Sequence, residues 1–121
     1  MAVLVRYSRQ GERVAKVLQA AGVPVDLSLS TAGTQYQPSN DSVKVLSMTG
    51  SKGLEFPVVF LPCLDSMPAA SQDVATEANL LYVAMTRAME RLHMTCHAAS
   101  DFVQRLQIAL RAPLPPARPI L

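Results

Sequence analysis

Residues 43–61 read VKVLSMTGSKGLEFPVVFL and contain two strand candidates joined by a polar turn. The first candidate, residues 43–48, is rich in β-branched and apolar side chains. The second, residues 58–61, is apolar without alternation, which is typical of a strand covered on both faces. The segment between them contains Gly50 and Gly53 and predicts a tight turn. This stretch therefore predicts a strand, a turn and a second strand buried in a sheet.

The segments before this stretch predict a strand, a helix and a short edge strand. Residues 2–6 are a β-branched run, and residues 10–21 carry apolar side chains at helical spacing. Gly22 is expected to stop that helix. Residues 25–29 alternate apolar and polar side chains and lead into an exposed polar loop over residues 30–41.

The segments after the central stretch predict a helix, a strand and a further helix. Asp73 follows a loop and is expected to cap a helix over residues 74–89. Apolar residues occur nearly all round this helix, so we expect it to be buried. A strand over residues 92–96 and a helix over residues 101–110, capped by Ser100, complete the pattern.

This order of strands and helices predicts an α/β fold with a mostly parallel sheet and helices on both faces. The 121 residues are enough for one domain, which we expect to span residues 1–111. Residues 112–121 contain four of the nine prolines, so we expect them to form a flexible tail.

The composition excludes several classes of protein. Hydrophobic residues make up 50% of the chain and charged residues 17%, which excludes disorder of the whole chain. No apolar run reaches the roughly 18 residues that a membrane helix needs, and the first residues do not form a signal peptide. We therefore expect a soluble, cytoplasmic protein. The formal net charge of +2 is too small to predict a nucleic-acid binder on charge alone.

The cysteines and histidines predict neither a disulfide framework nor a metal site. Cys63 and Cys96 are too few and too far apart, and we expect both to be small buried residues. His93, Cys96 and His97 lie on or next to one short predicted strand, where they cannot surround a tetrahedral ion. We therefore expect no bound metal.

The most unusual residue is Arg87, which lies in the apolar stretch LLYVAMTRAM over residues 80–89. Removing a guanidinium charge from water costs several kcal/mol unless an anion meets it. Two interpretations are open. The guanidinium pairs with a carboxylate of the chain, such as Glu55 or Glu77, or it binds a ligand.

The turn over residues 50–53 has the glycines of an anion-binding nest, in which backbone N–H groups approach oxygen atoms closely. It is not a phosphate-binding P-loop, because the spacing G-x-x-x-x-G-K-[ST] occurs nowhere in the chain. Asp65 follows an apolar strand, as a magnesium-binding Asp does. Without a P-loop, we expect Asp65 to be a turn residue.

Three stretches together resemble the C-terminal half of UvrD/Rep-type superfamily 1 DNA helicases. Residues 2–6 (AVLVR), with the Arg-rich helix after them, resemble motif IV, and residues 47–56 (SMTGSKGLEF) resemble motif V. Glu77 with residues 80–88 (LLYVAMTRA) resembles motif VI. The resemblance covers about residues 2–97 and keeps the order of the motifs.

The resemblance implies a three-layer RecA-like domain, the second of two that clamp ATP between them. The first domain supplies the P-loop and holds most of the Mg²⁺ contacts, so we expect the isolated chain to have no ATPase activity. In the family, ATP hydrolysis opens and closes the cleft and moves the enzyme 3′ to 5′ along single-stranded DNA. Because motif IV begins at residue 2, we expect the first ATPase domain to be missing from this chain.

The resemblance also implies roles for particular residues. Arg87 and Arg6 are implied to be catalytic and to reach the γ-phosphate of ATP, which favours the ligand interpretation of Arg87. Glu55 is implied to accept a hydrogen bond from the ribose, and Gly53 to allow a close approach of the backbone. A further group is implied to contact DNA phosphates: Thr49, Gly50 and Ser51.

Departures from the family pattern keep a second interpretation open. Thr49 stands where the family usually has His, and Val5 replaces an aromatic residue that is implied to stack on the base. Ala78 and Asn79 replace two arginines. Our leading hypothesis is the second RecA-like domain of a DNA helicase. The alternatives are a non-catalytic interaction module derived from such a domain and an unrelated α/β nucleotide-binding protein.

Overall fold

Five parallel strands form one sheet in the computed structural model, which describes residues 1–29 and 41–111. The strands are β1 (Ala2–Val5), β2 (Val25–Ser28), β3 (Val43–Ser47), β4 (Phe56–Leu61) and β5 (Ala88–Met94). Their order across the sheet is β2-β3-β1-β4-β5, and every pair of neighbours is parallel. The predicted α/β fold with a mostly parallel sheet is confirmed, and β2 is the predicted edge strand.

Helices pack on both faces of this sheet. α1 (Ser8–Ala20) covers one face, and α2 (Val74–Met85) and α3 (Asp101–Arg111) cover the other. β1 lies at the centre and contributes to both layers, because Val3 packs on the α1 side and Leu4 on the α2 side. The predicted three-layer architecture is therefore confirmed for the described residues.

α1 ends within one residue of its predicted end and begins two residues before its predicted start. Its N-cap is Tyr7, whose backbone N–H donates to Gln10 Oε1 at 3.1 Å. At the other end, Gly22 adopts a φ of +79°, and its N–H donates to the Gln19 carbonyl at 3.0 Å. A left-handed residue of this kind closes a helix, so Gly22 is the stop that the sequence predicts.

The predicted caps of the other two helices are also confirmed. The Asp73 carboxylate accepts a hydrogen bond from the Thr76 N–H at 3.1 Å, at the start of α2. The Ser100 hydroxyl accepts one from the Val103 N–H at 3.2 Å, at the start of α3. Both helices begin where their capping residues predict.

The helix predicted to reach residue 89 is too long, and the strand after it begins earlier than residue 92. α2 ends at Met85, and β5 begins three residues later. The reason is strand pairing, because β5 pairs in parallel with β4 and the Phe56 N–H donates to the Arg87 carbonyl at 2.9 Å. Arg87 therefore lies in the connection between a helix and a strand.

α2 is buried on one side only, so the expectation of a fully buried helix is wrong. Glu77, Leu81 and Ala84 face the sheet and are buried. Tyr82, in contrast, is 66% exposed, and Val74 is 51% exposed. Apolar residues occur round the whole helix, but within the described residues the sheet covers only one of its faces.

Neither cysteine shows the expected full burial. Cys63 is half-buried, and Cys96 is exposed. Cys96 lies two residues beyond Met94, the last residue of β5, and lines an open pocket beside α3. Cys96 is exposed because the strand ends before it, and the local sequence does not reveal where the strand ends.

Two predicted segments lie mainly outside the described residues. These are the polar loop, of which residues 30–40 are not described, and the whole tail over residues 112–121. Among the helices of the described ranges, none has the length and apolar character needed to span a membrane.

Candidate functional site

Residues 49–55 run between the two ends of the parallel strands. We call the end where the strands finish the carboxyl edge of the sheet, and the end where they begin the amino edge. The segment connects the carboxyl end of β3 to the amino end of β4, and these strands are parallel to each other with β1 between them. The segment therefore crosses over β1 and runs antiparallel to the strands, from the carboxyl edge to the amino edge. Leu54 packs into the same core cluster as α2, which puts the crossing on the α2 side. Thr49 lies at the carboxyl edge of the sheet, and Glu55 lies at the amino edge.

The guanidinium of Arg87 is held at the amino edge by backbone carbonyls. Nε donates to the Val83 carbonyl at 3.1 Å, and Nη1 donates to the Leu54 carbonyl at 3.2 Å. Nη2 donates to the hydroxyl of Thr86 at 3.3 Å. Over residues 1–29 and 41–111, no carboxylate lies within ion-pair distance of Arg87. The interpretation in which a carboxylate of the described chain pairs with Arg87 is therefore not what the structure shows.

Gly53 and Glu55 flank Leu54 at this edge. Glu55 is exposed and takes part in no ion pair within the described ranges. Gly53 has a φ of +82°, and no atom lies within 4 Å of the position that a Cβ would occupy. Arg87, Glu55 and Gly53 thus form one group, which we call the amino-edge group, with open space around its glycine.

Arg6 follows β1 at the carboxyl edge and pairs with a buried carboxylate. Its Nε donates to Glu77 Oε1 at 3.0 Å and to Oε2 at 3.2 Å. Glu77 is 1% exposed, and its Oε1 also accepts a hydrogen bond from the Ala69 N–H at 2.8 Å. The ion pair joins the end of β1, the loop before α2 and α2 itself. A buried carboxylate of this kind needs such partners, because its desolvation costs several kcal/mol.

A polar groove lies in front of Arg6, between α2 and the start of the 49–55 segment. Its volume is about 350 Å³, and it extends from Arg6 to Val83. We call it the Arg6 groove. Its polar lining comes from both sides: Arg6, Thr49, Lys52, Gln72, Thr76, Glu77 and Asn79.

The structure separates the two arginines that the resemblance assigns to the γ-phosphate. Arg6 follows the carboxyl end of its strand, whereas Arg87 precedes the amino end of β5. The register of β1, β4 and β5 separates them by roughly 25 Å along the strands. Arg87 is brought together with Gly53 and Glu55, and Arg6 is brought together with Thr49. A shared contact of Arg6 and Arg87 with one phosphate stays a prediction.

The three residues implied to contact DNA phosphates lie in one turn of 3₁₀ helix, and they differ in exposure. Thr49 is exposed, and Gly50 is half-buried with its N–H bonded to the Ser47 hydroxyl at 2.9 Å. Ser51 is 0% exposed, and its hydroxyl donates to the Met48 carbonyl at 2.6 Å. In this conformation only the Thr49 side chain is available to a phosphate. The role of the turn in DNA binding stays a prediction.

The histidines and Asp65 take part in local contacts. His93 stacks on Phe60 with the ring centroids 4.7 Å apart, and His97 Nδ1 lies 3.6 Å from Asp65 Oδ2. Asp65 lies in a short 3₁₀ turn over residues 64–66, in agreement with its predicted place in a turn. Among the described residues, no three His, Cys, Asp or Glu side chains are grouped so that they could hold a metal ion.

Sequence reasoning misses two features of this region. From the sequence, Glu77 is expected only to belong to a motif and possibly to pair with Arg87. In the structure it pairs with Arg6, which is 71 residues away along the chain. No local pattern reveals such a contact. Sequence reasoning also assigns no role to Lys52, which lines the Arg6 groove. The place of Lys52 in the polar turn beside the glycines is the signal that could have indicated it.

Comparison with known proteins gives a family match. The family model of the UvrD-like helicase C-terminal domain matches residues 25–99, which is more than half of the chain. The match contains the amino-edge group, Thr49 and Glu77. Arg6 lies before its first residue.

Curated relatives are similar to about half of the chain. This chain is 41% identical over 64 residues to the ATP-dependent DNA helicase srs2 of Schizosaccharomyces pombe. It is 33% identical over 100 residues to one of the subunits of the ATP-dependent helicase/nuclease of Lacticaseibacillus casei. Each comparison covers 50% of this chain, but only 7% and 8%, respectively, of the relative. The chain therefore spans a small part of the length of these relatives.

A solved structure has the same fold. It is the crystal structure of the C-terminal domain of a possible DNA helicase from Lactobacillus plantarum WCFS1, with a TM-score of 0.65. The comparison covers 90% of this chain and 63% of that chain, at 24% sequence identity. At this identity, the likeness supports the fold and no more.

Proposed function

Because the chain belongs to the UvrD-like helicase C-terminal domain family, we propose that it is the second RecA-like domain of an ATP-dependent 3′-5′ DNA helicase. In this role it completes an ATP site across a cleft from a P-loop domain and contacts single-stranded DNA. The P-loop domain is a partner outside this chain and holds most of the Mg²⁺ contacts. We also propose that the protein is cytoplasmic.

The observation that carries the proposal is the environment of Arg87. Its guanidinium is held by two carbonyls and a hydroxyl, and within the described residues no carboxylate neutralises it. Arginine keeps its charge at every physiological pH, so a positive charge stays available at this edge. Phosphoryl transfer is accelerated mainly by neutralising charge on the transferred phosphate, and an arginine from a partner domain is suited to that task.

The other members of the amino-edge group have properties that suit a nucleotide. The exposed carboxylate of Glu55 is free to accept hydrogen bonds from the ribose hydroxyls. The open space at Gly53 allows a ligand to approach the backbone closely. The Leu54 carbonyl, which lies between these two residues, is hydrogen-bonded to Arg87. In the proposed site the three residues act on one nucleotide from the same side.

The 49–55 segment provides a physical connection between ATP and DNA. Thr49 lies at the edge proposed to contact DNA phosphates, and Glu55 lies at the edge proposed to contact the nucleotide. Backbone hydrogen bonds stabilise the segment between them, including one from the Leu54 N–H to the Ser51 carbonyl at 3.0 Å. Closure of the cleft around ATP would therefore move both ends of the segment together.

One observation favours the second candidate, a non-catalytic interaction module. Val5 is 0% exposed, so this position cannot supply the base-stacking contact that the resemblance implies for an aromatic residue. A module that had lost nucleotide binding would tolerate this change. For this candidate, Arg6→Ala and Arg87→Ala would leave the biological activity of the parent protein unchanged.

Reconstitution with the separately produced P-loop domain of the parent helicase tests the proposal. The isolated 121-residue chain is expected to show no DNA-stimulated ATPase activity. Adding the P-loop domain should restore it, and Arg87→Ala should remove it again. Arg105→Ala is the matched control, because Arg105 is an exposed arginine on α3 that pairs with Asp101. ATP hydrolysis by the chain alone, or full activity with Arg87→Ala, would contradict the proposal.

A further inference from the structure

An open apolar groove of about 120 Å³ runs along α3, on the side of the helix that faces the end of β5. We call it the α3 groove. None of the described residues that line it is charged: Leu64, Met94, Thr95, Cys96, Val103, Leu106, Gln107 and Leu110. Leu110 is 74% exposed, so the described chain leaves one wall of the groove in water. An exposed apolar surface of this kind marks a place where another segment can pack.

Residues 112–121 begin at this groove. Arg111, the last residue of α3, directly follows Leu110, which lines the groove. Ala112 precedes Pro113, and the residue before a proline disfavours the helical conformation. The end of α3 at Arg111 agrees with this restriction. The segment therefore leaves the helix beside the groove and in an extended conformation.

The segment is long enough to turn back and fill the groove. The groove extends from Val103 to Leu110, which is about 10 Å along the axis of α3. A proline-rich chain in the polyproline II conformation rises about 3.1 Å per residue, so ten residues can span about 31 Å. Three or four of them cover the length of the groove, and the others remain for the turn and for an extension beyond it.

The apolar residues of the segment recur with the period of a polyproline II helix. This helix has three residues per turn, so positions three apart lie on the same edge. Pro113, Pro116 and Pro119 share one edge in that conformation, and the next edge holds three further apolar residues: Leu114, Ala117 and Ile120. The third edge carries Arg118, the only charged residue of the segment. Two adjacent edges are thus apolar, as a segment lying in an apolar groove requires.

Two properties of the segment lower the cost of docking. Its four prolines have a fixed φ, so the chain loses less conformational freedom than an ordinary segment does. Its covalent connection to α3 also makes docking intramolecular, with an effective concentration in the millimolar range. A groove of modest size can therefore hold it.

We propose that residues 112–121 fold back along α3 and dock in the α3 groove as a polyproline II segment, with Leu114 and Ala117 against Leu106 and Leu110. Docking covers the apolar surface that α3 leaves in water. The other groove beside α3, between this helix and α2, suits the segment less well, because charged Arg105 lines it and Leu110 does not. The proposal is independent of the proposed function, since neither nucleotide nor DNA takes part in it.

The thiol of Cys96 reports whether the groove is covered, because Cys96 lines the groove and is exposed in the described part of the chain. The test uses the full 121-residue chain with Cys63→Ser, which leaves Cys96 as its only thiol. The rate of alkylation by N-ethylmaleimide, a neutral reagent, is measured for this protein and for variants of the tail. Leu114→Ser should raise the rate about fivefold, and removal of residues 112–121 about tenfold, because each uncovers the groove. Leu121→Ser makes the same change on the third edge and should leave the rate unchanged.

Leu110→Ser tests the groove itself. Leu110 lies on the surface of α3, so this variant should fold, and circular dichroism of every variant checks that it does. Leu110→Ser should raise the alkylation rate as Leu114→Ser does. Because both variants remove the same contact, the double variant should raise the rate by less than the product of the two single effects. A full product would overturn the contact between Leu110 and Leu114.

Backbone ¹⁵N relaxation provides a second readout. In the unaltered chain, the heteronuclear NOE values of Leu114 and Ala117 should be close to those of α3, and they should fall in Leu114→Ser. Values typical of a free chain, with equal alkylation rates in the unaltered, Leu114→Ser and shortened proteins, would overturn the proposal. Protection of Cys96 that disappears on dilution would also overturn it, because the tail of a second copy would then be the occupant. These measurements involve no ATP, so their failure is distinct from a failure of the ATPase test of Arg87.

Discussion

Arg87 Nη1 donates a hydrogen bond to the Leu54 carbonyl at 3.2 Å, which joins the connection after α2 to the segment between Gly53 and Glu55. The same guanidinium binds the Val83 carbonyl inside the last turn of the helix. The two motifs of the amino edge are thus held together by one side chain, whose charge has no carboxylate partner in the described residues. In the proposed helicase domain, this side chain can leave carbonyl partners for a phosphate without breaking an ion pair.

Gly53→Ala is expected to reduce both stability and ATPase activity of the reconstituted helicase. The φ of +82° strains any residue with a Cβ, although no atom crowds the new methyl group. The cost in unfolding free energy should be about 1 kcal/mol, and relaxation of the strain would shift Leu54 and Glu55.

Gly22→Ala is the matched control for that experiment. Gly22 has a φ of +79° and the same open surroundings, but it closes α1 far along the chain from the amino-edge group. The two variants should lose similar stability in thermal unfolding, and only Gly53→Ala should lower kcat/KM for ATP. Equal activity of the two variants would argue against a role of the Gly53 backbone in the site.

Thr49→Ala and Ser51→Ala should separate DNA contact from stability. Thr49 is exposed, so its alanine variant should unfold like the wild type but bind single-stranded DNA roughly fivefold more weakly, or by about 1 kcal/mol. Ser51 is buried and bonds to the Met48 carbonyl, so Ser51→Ala should lower the unfolding free energy by about 1 to 2 kcal/mol. Fluorescence anisotropy and denaturant titration measure the two effects. Unchanged DNA binding by Thr49→Ala would remove this residue from the interface.

Glu77→Ala should be among the most destabilising single changes in the chain. It leaves the partly buried Arg6 guanidinium and the Ala69 N–H without their acceptor, and loss of one partner of a buried pair costs about 3 kcal/mol. The exposed pair of Arg105 and Asp101 provides the contrast, since Arg105→Ala should change stability by about 0.5 kcal/mol or less. Urea unfolding of both variants checks this difference. Similar losses in the two variants would show that the Arg6–Glu77 pair does not hold the fold.

Much of the fold is predictable from local sequence. The apolar spacing of α1, the glycine that closes it and the two polar caps at Asp73 and Ser100 act within a few residues, so they can be recognised without the partner elements. The end of α2 at Met85 cannot be recognised in this way. The helical spacing of apolar residues continues past it to Ala88, with no Gly or Pro in between, and pairing of β5 with β4 decides where the helix stops.

The candidate site likewise contains one residue that the sequence reveals and one contact that it does not. Arg87 is conspicuous in sequence because a charge in an apolar stretch needs an explanation, and the structure brings it to Gly53 and Glu55. The pairing of Arg6 with Glu77, in contrast, depends on the order of strands in the sheet. Sequence similarity to a motif assigns Arg6 to the same phosphate as Arg87, but it cannot reveal that the two lie at opposite edges.

The rate of ATP hydrolysis by Arg87 variants of the reconstituted helicase tests the central claim most directly. With saturating single-stranded DNA, Arg87→Ala should lower kcat about a thousandfold with a smaller change in KM, because the guanidinium acts mainly in the transition state. Arg87→Lys should recover little of this loss, since a lysine cannot reproduce the planar donors. Arg87→Ala also loses the hydrogen bonds to the Val83 and Leu54 carbonyls, so its unfolding free energy should fall by about 1 to 2 kcal/mol, and thermal unfolding checks that both variants stay folded at the assay temperature. A well-folded Arg87→Ala protein that hydrolyses ATP at the wild-type rate would contradict the account.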